Sequence, residues 1–189
     1  MAKAYRPISI PSGVDVKVQA DTVSVKGKLG VLVMPVRTGM TVKVASGAFT
    51  VEAGADVERA HVGTTRAHIA NAITGVTAGY VKVLEVRGMG YRVQKTKDGV
   101  QIECGYSHPV IVPAPAGITF DVAQAPDPDD VKIQMSIITA SGIDRQVVGE
   151  IAAEIRAIKP PDNYLGKGIR YRGERVVKKA GKRAAGTQA

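Results

Sequence analysis

The chain states one pattern twice, and few folds accommodate that. Val14, Val16 and Val18 alternate with Asp15, Lys17 and Gln19, the period-two signature of a half-buried strand. From Tyr91 the same grammar begins again. Val16-Lys-Val-Gln19 corresponds to Tyr91-Arg-Val-Gln94, and Val23 with Val25 to Val100 with Ile102. Gly39-Met-Thr41 corresponds to Gly117-Ile-Thr119, and Gly63 with Arg66 to Gly142 with Arg145. The separations run from 75 to 79 residues through strands and into a helix, so the chain reads as two copies of one small sheet-plus-helix unit. Boundaries are expected at 1–82 for the first domain with an N-terminal arm, 83–175 for the second, and 176–189 for a basic tail.

Within the first copy, Val23–Val25, Val31–Val33, Met40–Val44 and Phe49–Val51 read as further strands. Residues 1–13, with Pro7 and Pro11, read as an arm without regular hydrogen bonding. After Gly63 the period changes to that of a helix, with Thr64 or Thr65 as cap, Ile69 and Ile73 on one face, and Gly75 and Gly79 as terminators. Val81–Arg87 returns to strand and Gly88-Met-Gly90 breaks it. The second helix carries Val147, Val148, Ile151, Ile155 and Ile158 as a stripe and stops at Lys159-Pro160-Pro161. Arg145 and Arg156 are eleven residues apart, which places them on one side of this helix, away from Glu150 and Glu154.

Charge is distributed very unevenly. From Lys159 to the end there are nine Lys/Arg against Asp162 and Glu174, which is +7 of the formal +9, whereas residues 1–158 carry 17 basic and 15 acidic side chains. Glycines and tyrosines interleave the cations, and this combination suits a polyanion that stacks. Tyr164 and Tyr171 can face bases or ribose. Lys167, with Gly166 and Gly168 beside it, can bring ammonium and backbone amides to phosphates. Arg170, Arg172 and Arg175 can fork onto phosphates, and Lys178, Lys179, Lys182 and Arg183 add diffuse attraction. A general basic nucleic-acid-binding module or an anionic-membrane-surface patch is the alternative.

Other classes find little support. No apolar run approaches the roughly 20 residues that span a bilayer, and the first residues lack the apolar core of a signal peptide, so a cytoplasmic location is expected. The single cysteine, Cys104, allows no internal disulfide and reads as a small buried residue. His61, His68 and His108 form no catalytic set, Glu150 and Glu154 have no ligand partner at metal spacing, and Asp127-Pro-Asp-Asp130 reads as an acidic turn. Gly88-Met-Gly90 is followed by Val93 where a dinucleotide fingerprint needs a small residue, and Gly166-Lys-Gly168 is no P-loop. No enzyme, cofactor, metal or small-molecule substrate is expected.

Pro161-Asp-Asn-Tyr-Leu-Gly-Lys-Gly-Ile-Arg-Tyr171 closely resembles the signature of the large ribosomal subunit protein six family in its bacterial form. Pro7–Val14, Val25-Lys-Gly27, Gly63-Thr-Thr-Arg66, Gly88-Met-Gly-Tyr-Arg92, Ser107-His-Pro109 and Gly142-Ile-Asp-Arg145 follow in the family's order. The resemblance implies an α+β fold of two similar small domains, each an antiparallel sheet with one packed helix, plus the basic C-terminal tail. It implies a structural, non-enzymatic constituent of the ribosome, bound to large-subunit (23S) ribosomal RNA and neighbouring ribosomal proteins near the factor-binding region and stalk base. Carried over by motif, Tyr164, Lys167, Gly168, Arg170 and Tyr171 are RNA contacts. Together with Arg145, Arg156, Lys159, Arg172, Arg175 and the tail cations they make the candidate site. The sequence departs from the family at Leu165, where Lys is usual, and at Lys28-Leu29, where Pro-Lys is usual.

Overall fold

A computed structural model describes residues 7–19, 22–45, 47–53, 57–126 and 134–181. The chain divides into two compact units, residues 1–80 with 142–145, and residues 81–141 with 146–189. The first contains β1 (Ile8–Ser9), β2 (Asp15–Gln19), β3 (Thr22–Lys26), β4 (Val31–Pro35), β5 (Met40–Ala45), β6 (Ala48–Ala53) and α1 (Arg59–Thr77). The second contains β7 (Tyr80–Arg87), β8 (Arg92–Thr96), β9 (Gly99–Glu103), β10 (Val110–Pro113), β11 (Ile118–Pro126), β12 (Gln134–Gly142), α2 (Arg145–Ile158) and β13 (Gly168–Tyr171).

Each unit has one helix, and its strands divide between two small sheets. In the first unit β2-β3-β4 is an antiparallel meander and β1-β6-β5 a second sheet. In the second unit the meander is β8-β9-β10, and the other sheet runs β11-β12-β7-β13. The strand before each meander, β1 or β7, lies beside the last strand before each helix, β6 or β12. The repeat seen in the residues is therefore a repeat of strand order, and β13 is an addition specific to the second copy.

The alternation works as the pleat requires. Val23 and Val25 on β3 are wholly buried while the alternating Thr22 and Ser24 are not, because successive side chains point to opposite faces. They meet Phe49, Val51 and the α1 face of Ile69, Ile73 and Val76 in one core. On α2 the buried set is Val148, Ile151, Ala152 and Ile155, a stripe at i, i+3, i+4 and i+7. Ile169 of β13 is fully buried, and covering one such side chain stabilises by about 1.5–3 kcal/mol.

Four expectations need correcting. Part of the expected arm is strand, since Ile8 and Ser9 pair with Phe49 and Ala48 and Ile10 N–H donates to Gly47 O at 2.7 Å. Helix α1 begins at Arg59, ahead of Gly63, with Glu58 at its N-cap and no side-chain cap bond. Gly75 lies inside α1 instead of ending it, and glycine is required there because a Cβ would collide with the Ile143 carbonyl oxygen. Finally β10, β12 and β13 are strands that the hydropathy pattern did not announce. The acidic turn at 127–130, the arm before Pro7, and Lys182 and Arg183 lie outside the described residues.

Candidate nucleic-acid interface

The basic stretch is built onto the second unit by a closed loop. Ile169 N–H donates to Lys159 O at 2.7 Å and Asp162 N–H to Lys167 O at 2.8 Å, so Pro160–Gly168 leaves and returns through one neck. Inside it, the Asp162 carboxylate accepts the N–H groups of Tyr164 at 3.2 Å and Leu165 at 2.9 Å, as turn aspartates do. Gly166 N–H donates to Asp162 O at 2.9 Å. Tyr164 and Leu165 occupy the tip and are exposed.

Gly168 packs against the chain's own backbone. It is buried at φ +141°, and a Cβ there would stand 2.7 Å from Pro160 O and from Pro161 Cα. The close approach that demands glycine is to the chain's own Pro160-Pro161 backbone. Beyond it β13 pairs antiparallel with β7, Ile169 opposite Val86, Arg170 opposite Glu85 and Tyr171 opposite Leu84.

Two of the arginines are committed to carboxylates. Arg170 Nε donates to Glu85 Oε2 at 3.2 Å, and the same oxygen takes Arg87 Nη2 at 2.9 Å; Glu85 and Arg87 are buried. Arg156 makes a two-pronged pair with Glu174, Nε to Oε2 at 3.0 Å and Nη2 to Oε1. Glu174 also closes the turn after β13, accepting Tyr171 N–H at 3.0 Å. The Arg156 hydrogen bonds hold the Glu174 carboxyl below its ordinary value and raise Arg156 in return. Both acids of the basic stretch are thus engaged with donors of the protein itself. Tyr171 is half-buried, with Lys82 Nζ 5.7 Å and Arg156 Cζ 5.8 Å from its ring centroid.

The remaining candidates form an outer set. Lys167 is half-buried, while Arg172, Arg175 and Lys179 are exposed, and none of these four has an ion pair among the described residues. Lys179 N–H donates to Asn163 O at 2.8 Å, and Lys178 Cε stands 2.9 Å from where a Cβ on Gly166 would be. Residues 178 and 179 therefore lie against the loop instead of trailing away. Lys159 sits over the Tyr106 ring. Arg145 clusters with the first unit, its Nη1 donating to Asn71 Oδ1 at 3.0 Å, and does not join this set.

Lys82, Glu85, Arg87 and Tyr106 were missed by sequence reasoning. The available signal was Glu85 and Arg87 in the mostly apolar second half of β7, a placement that demands a charged partner. Elsewhere, His61 lies against the Arg37 guanidinium, His68 and His108 are exposed, and no group of three His, Cys, Asp or Glu among the described residues is placed to hold a metal.

The repeated architecture, with a basic loop and strand added to its second copy, has a counterpart among known proteins. The family model described as Ribosomal protein L6 matches residues 10–79 and 87–172, one segment in each copy. The chain belongs to the ribosomal protein L6 family. It is 46% identical over 184 residues to the Large ribosomal subunit protein uL6 of Caldicellulosiruptor bescii, covering 96% of this chain and 95% of that one. It is 43% identical over 178 residues to the protein of that name from Rubrobacter xylanophilus, covering 93% and 95%. Against the Deinococcus deserti protein of that name the figures are 42% over 182 residues, with 95% and 93% covered. The second L6 segment ends at residue 172 and so takes in the whole of β13.

Proposed function

We propose that this L6-family chain is a structural, non-enzymatic constituent of the large ribosomal subunit. It binds 23S ribosomal RNA through the loop, β13 and the docked part of the tail, near the factor-binding region and stalk base and beside other ribosomal proteins. Its place of action is then the cytoplasmic ribosome. The observation that carries the RNA reading is the fixed basic edge of the second unit. Lys167 stands on the loop before β13 and Arg172, Arg175 and Lys179 follow that strand, on a stretch that is hydrogen-bonded at the loop's neck and whose acids are already used. Cations on a preformed frame lose little entropy on docking, and Arg and Lys on such a frame position RNA through its phosphates. No helix among the described residues is long and apolar enough to cross a membrane.

Sedimentation of the full chain with large ribosomal subunits through a high-salt cushion tests the reading. Retention in the subunit fraction is the expected result. Release at modest salt, with equal binding to unrelated RNA, would instead mark a general basic module.

A further inference from the structure

Tyr171, the ring that the motif nominates for stacking, is half-buried and flanked by Lys82 and Arg156. Tyr106 presents the opposite case. It stands in the turn between β9 and β10 and is 47% exposed, yet it is not free to swing, because its O–H donates to Ile158 O at 2.8 Å. Lys159 Nζ lies 5.0 Å from the centroid of its ring. Lys159 also accepts the N–H of Ile169 through its carbonyl, so the residue over Tyr106 anchors the first bonds of β13.

The Tyr106 ring is thus held at its far end while much of it stays open to solvent. A tied, half-open ring beside a cation that has no ion pair among the described residues fits a ligand with a flat π-face and a nearby anionic group. A nucleotide has both. The turn from Gly105 to Pro109 contributes the exposed Ser107 and His108 and no carboxylate, so nothing in it repels a phosphate. We infer that Tyr106 and Lys159 form a nucleotide contact of the second unit. One unstacked base of large-subunit RNA lies on the open part of the Tyr106 ring, and its phosphate is held by Lys159. The inference rests on the proposal that the chain binds this RNA, and adds to it Tyr106, a residue outside the basic stretch.

The test uses the full chain with Tyr106→p-azidophenylalanine, assembled into large subunits and irradiated. A crosslink from position 106 to ribosomal RNA is expected; crosslinks to a protein alone, or none, overturn the inference. In filter binding to a transcript of large-subunit RNA, Tyr106→Ala should weaken affinity by roughly five- to 150-fold, the range for loss of one stacking aromatic. Tyr106→Phe, which keeps the ring, should retain most of it, and Lys159→Met should weaken binding without altering the thermal transition. Unchanged affinity for Tyr106→Ala, in a chain whose wild type binds, refutes this contact and leaves the RNA reading standing. Failure of the wild type to bind refutes both.

Discussion

Arg170 reaches from β13 to β7, where its Nε stands 3.2 Å from Glu85 Oε2, the oxygen that also receives Arg87 Nη2 at 2.9 Å. One buried carboxylate thus serves two guanidiniums on neighbouring strands and fastens the motif strand to the sheet. Glu85→Gln removes the charge and leaves both arginines in a poorly solvated place. Breaking such a pair from one side costs about 3–5 kcal/mol. Urea denaturation should show a loss of that size, and a loss under about 1 kcal/mol would show that solvent screens the cluster.

This cluster marks where the residues alone stop being informative. Strands whose valines alternate, and the α2 stripe, were legible because burial on one face leaves a period in the residues themselves. The pairing of Glu85 with Arg170 joins positions 85 apart, and no local period encodes it. The motif strand hid for a related reason. Gly-Ile-Arg-Tyr shows one apolar side chain before the tyrosine, and its partner is β7, a strand far back along the chain. Gly168 was legible as a place of close backbone approach, but that Pro160-Pro161 passes against it is visible only in the fold.

Gly168→Ala tests that packing. The substitution leaves charge unchanged but places a Cβ 2.7 Å from backbone atoms at a φ of +141°. Strain of about 1–3 kcal/mol is expected. The thermal midpoint of the second unit should fall, and RNA affinity should fall with it only where the folded fraction does. A variant that keeps its midpoint and no longer binds RNA would return Gly168 to direct contact.

Glu174 predicts a pH dependence. Its folded pKa lies below the ordinary 4.5, chiefly through the Arg156 hydrogen bonds, so the contribution is fully present above the unfolded value. It is lost as pH falls below 4.5 and through the folded value. Glu174→Gln should lower stability at neutral pH by the lost contribution and flatten the acid limb, so that the two proteins converge as pH falls. Denaturant midpoints measured from pH 3 to 7 would decide, and an identical acid limb in both proteins would remove Glu174 from the account.

Cys104 is 1% exposed, and burial pushes its thiol pKa up, opposed in part by the Lys159 charge. Inaccessibility and the raised pKa both disfavour a reactive thiolate. The folded protein should therefore resist a thiol reagent near pH 8, and labelling should appear along the unfolding transition. Rapid labelling of the native chain would mean that the β9 end opens without global unfolding.

The tail is where docking and diffuse charge can be separated. Lys179 N–H is bonded to Asn163 O at 2.8 Å and Lys178 lies against Gly166, so residues up to this point support the Tyr164–Lys167 loop. Removing 182–189 takes away Lys182 and Arg183 but leaves that support. It should weaken binding to cognate and unrelated RNA equally and flatten the salt dependence by about 0.7 to 0.9 for each phosphate no longer neutralised. Removing 176–189 also strips the Asn163 carbonyl of its donor and uncovers Gly166, so the loop should loosen and preference for large-subunit RNA should decline as well. Lys179→Ala keeps both the backbone bond and the Lys178 side chain against Gly166, and should behave as the shorter deletion does. If both deletions reduce cognate and unrelated binding by the same factor, the docked residues act by charge alone, because removing the loop's support would then have left selectivity untouched.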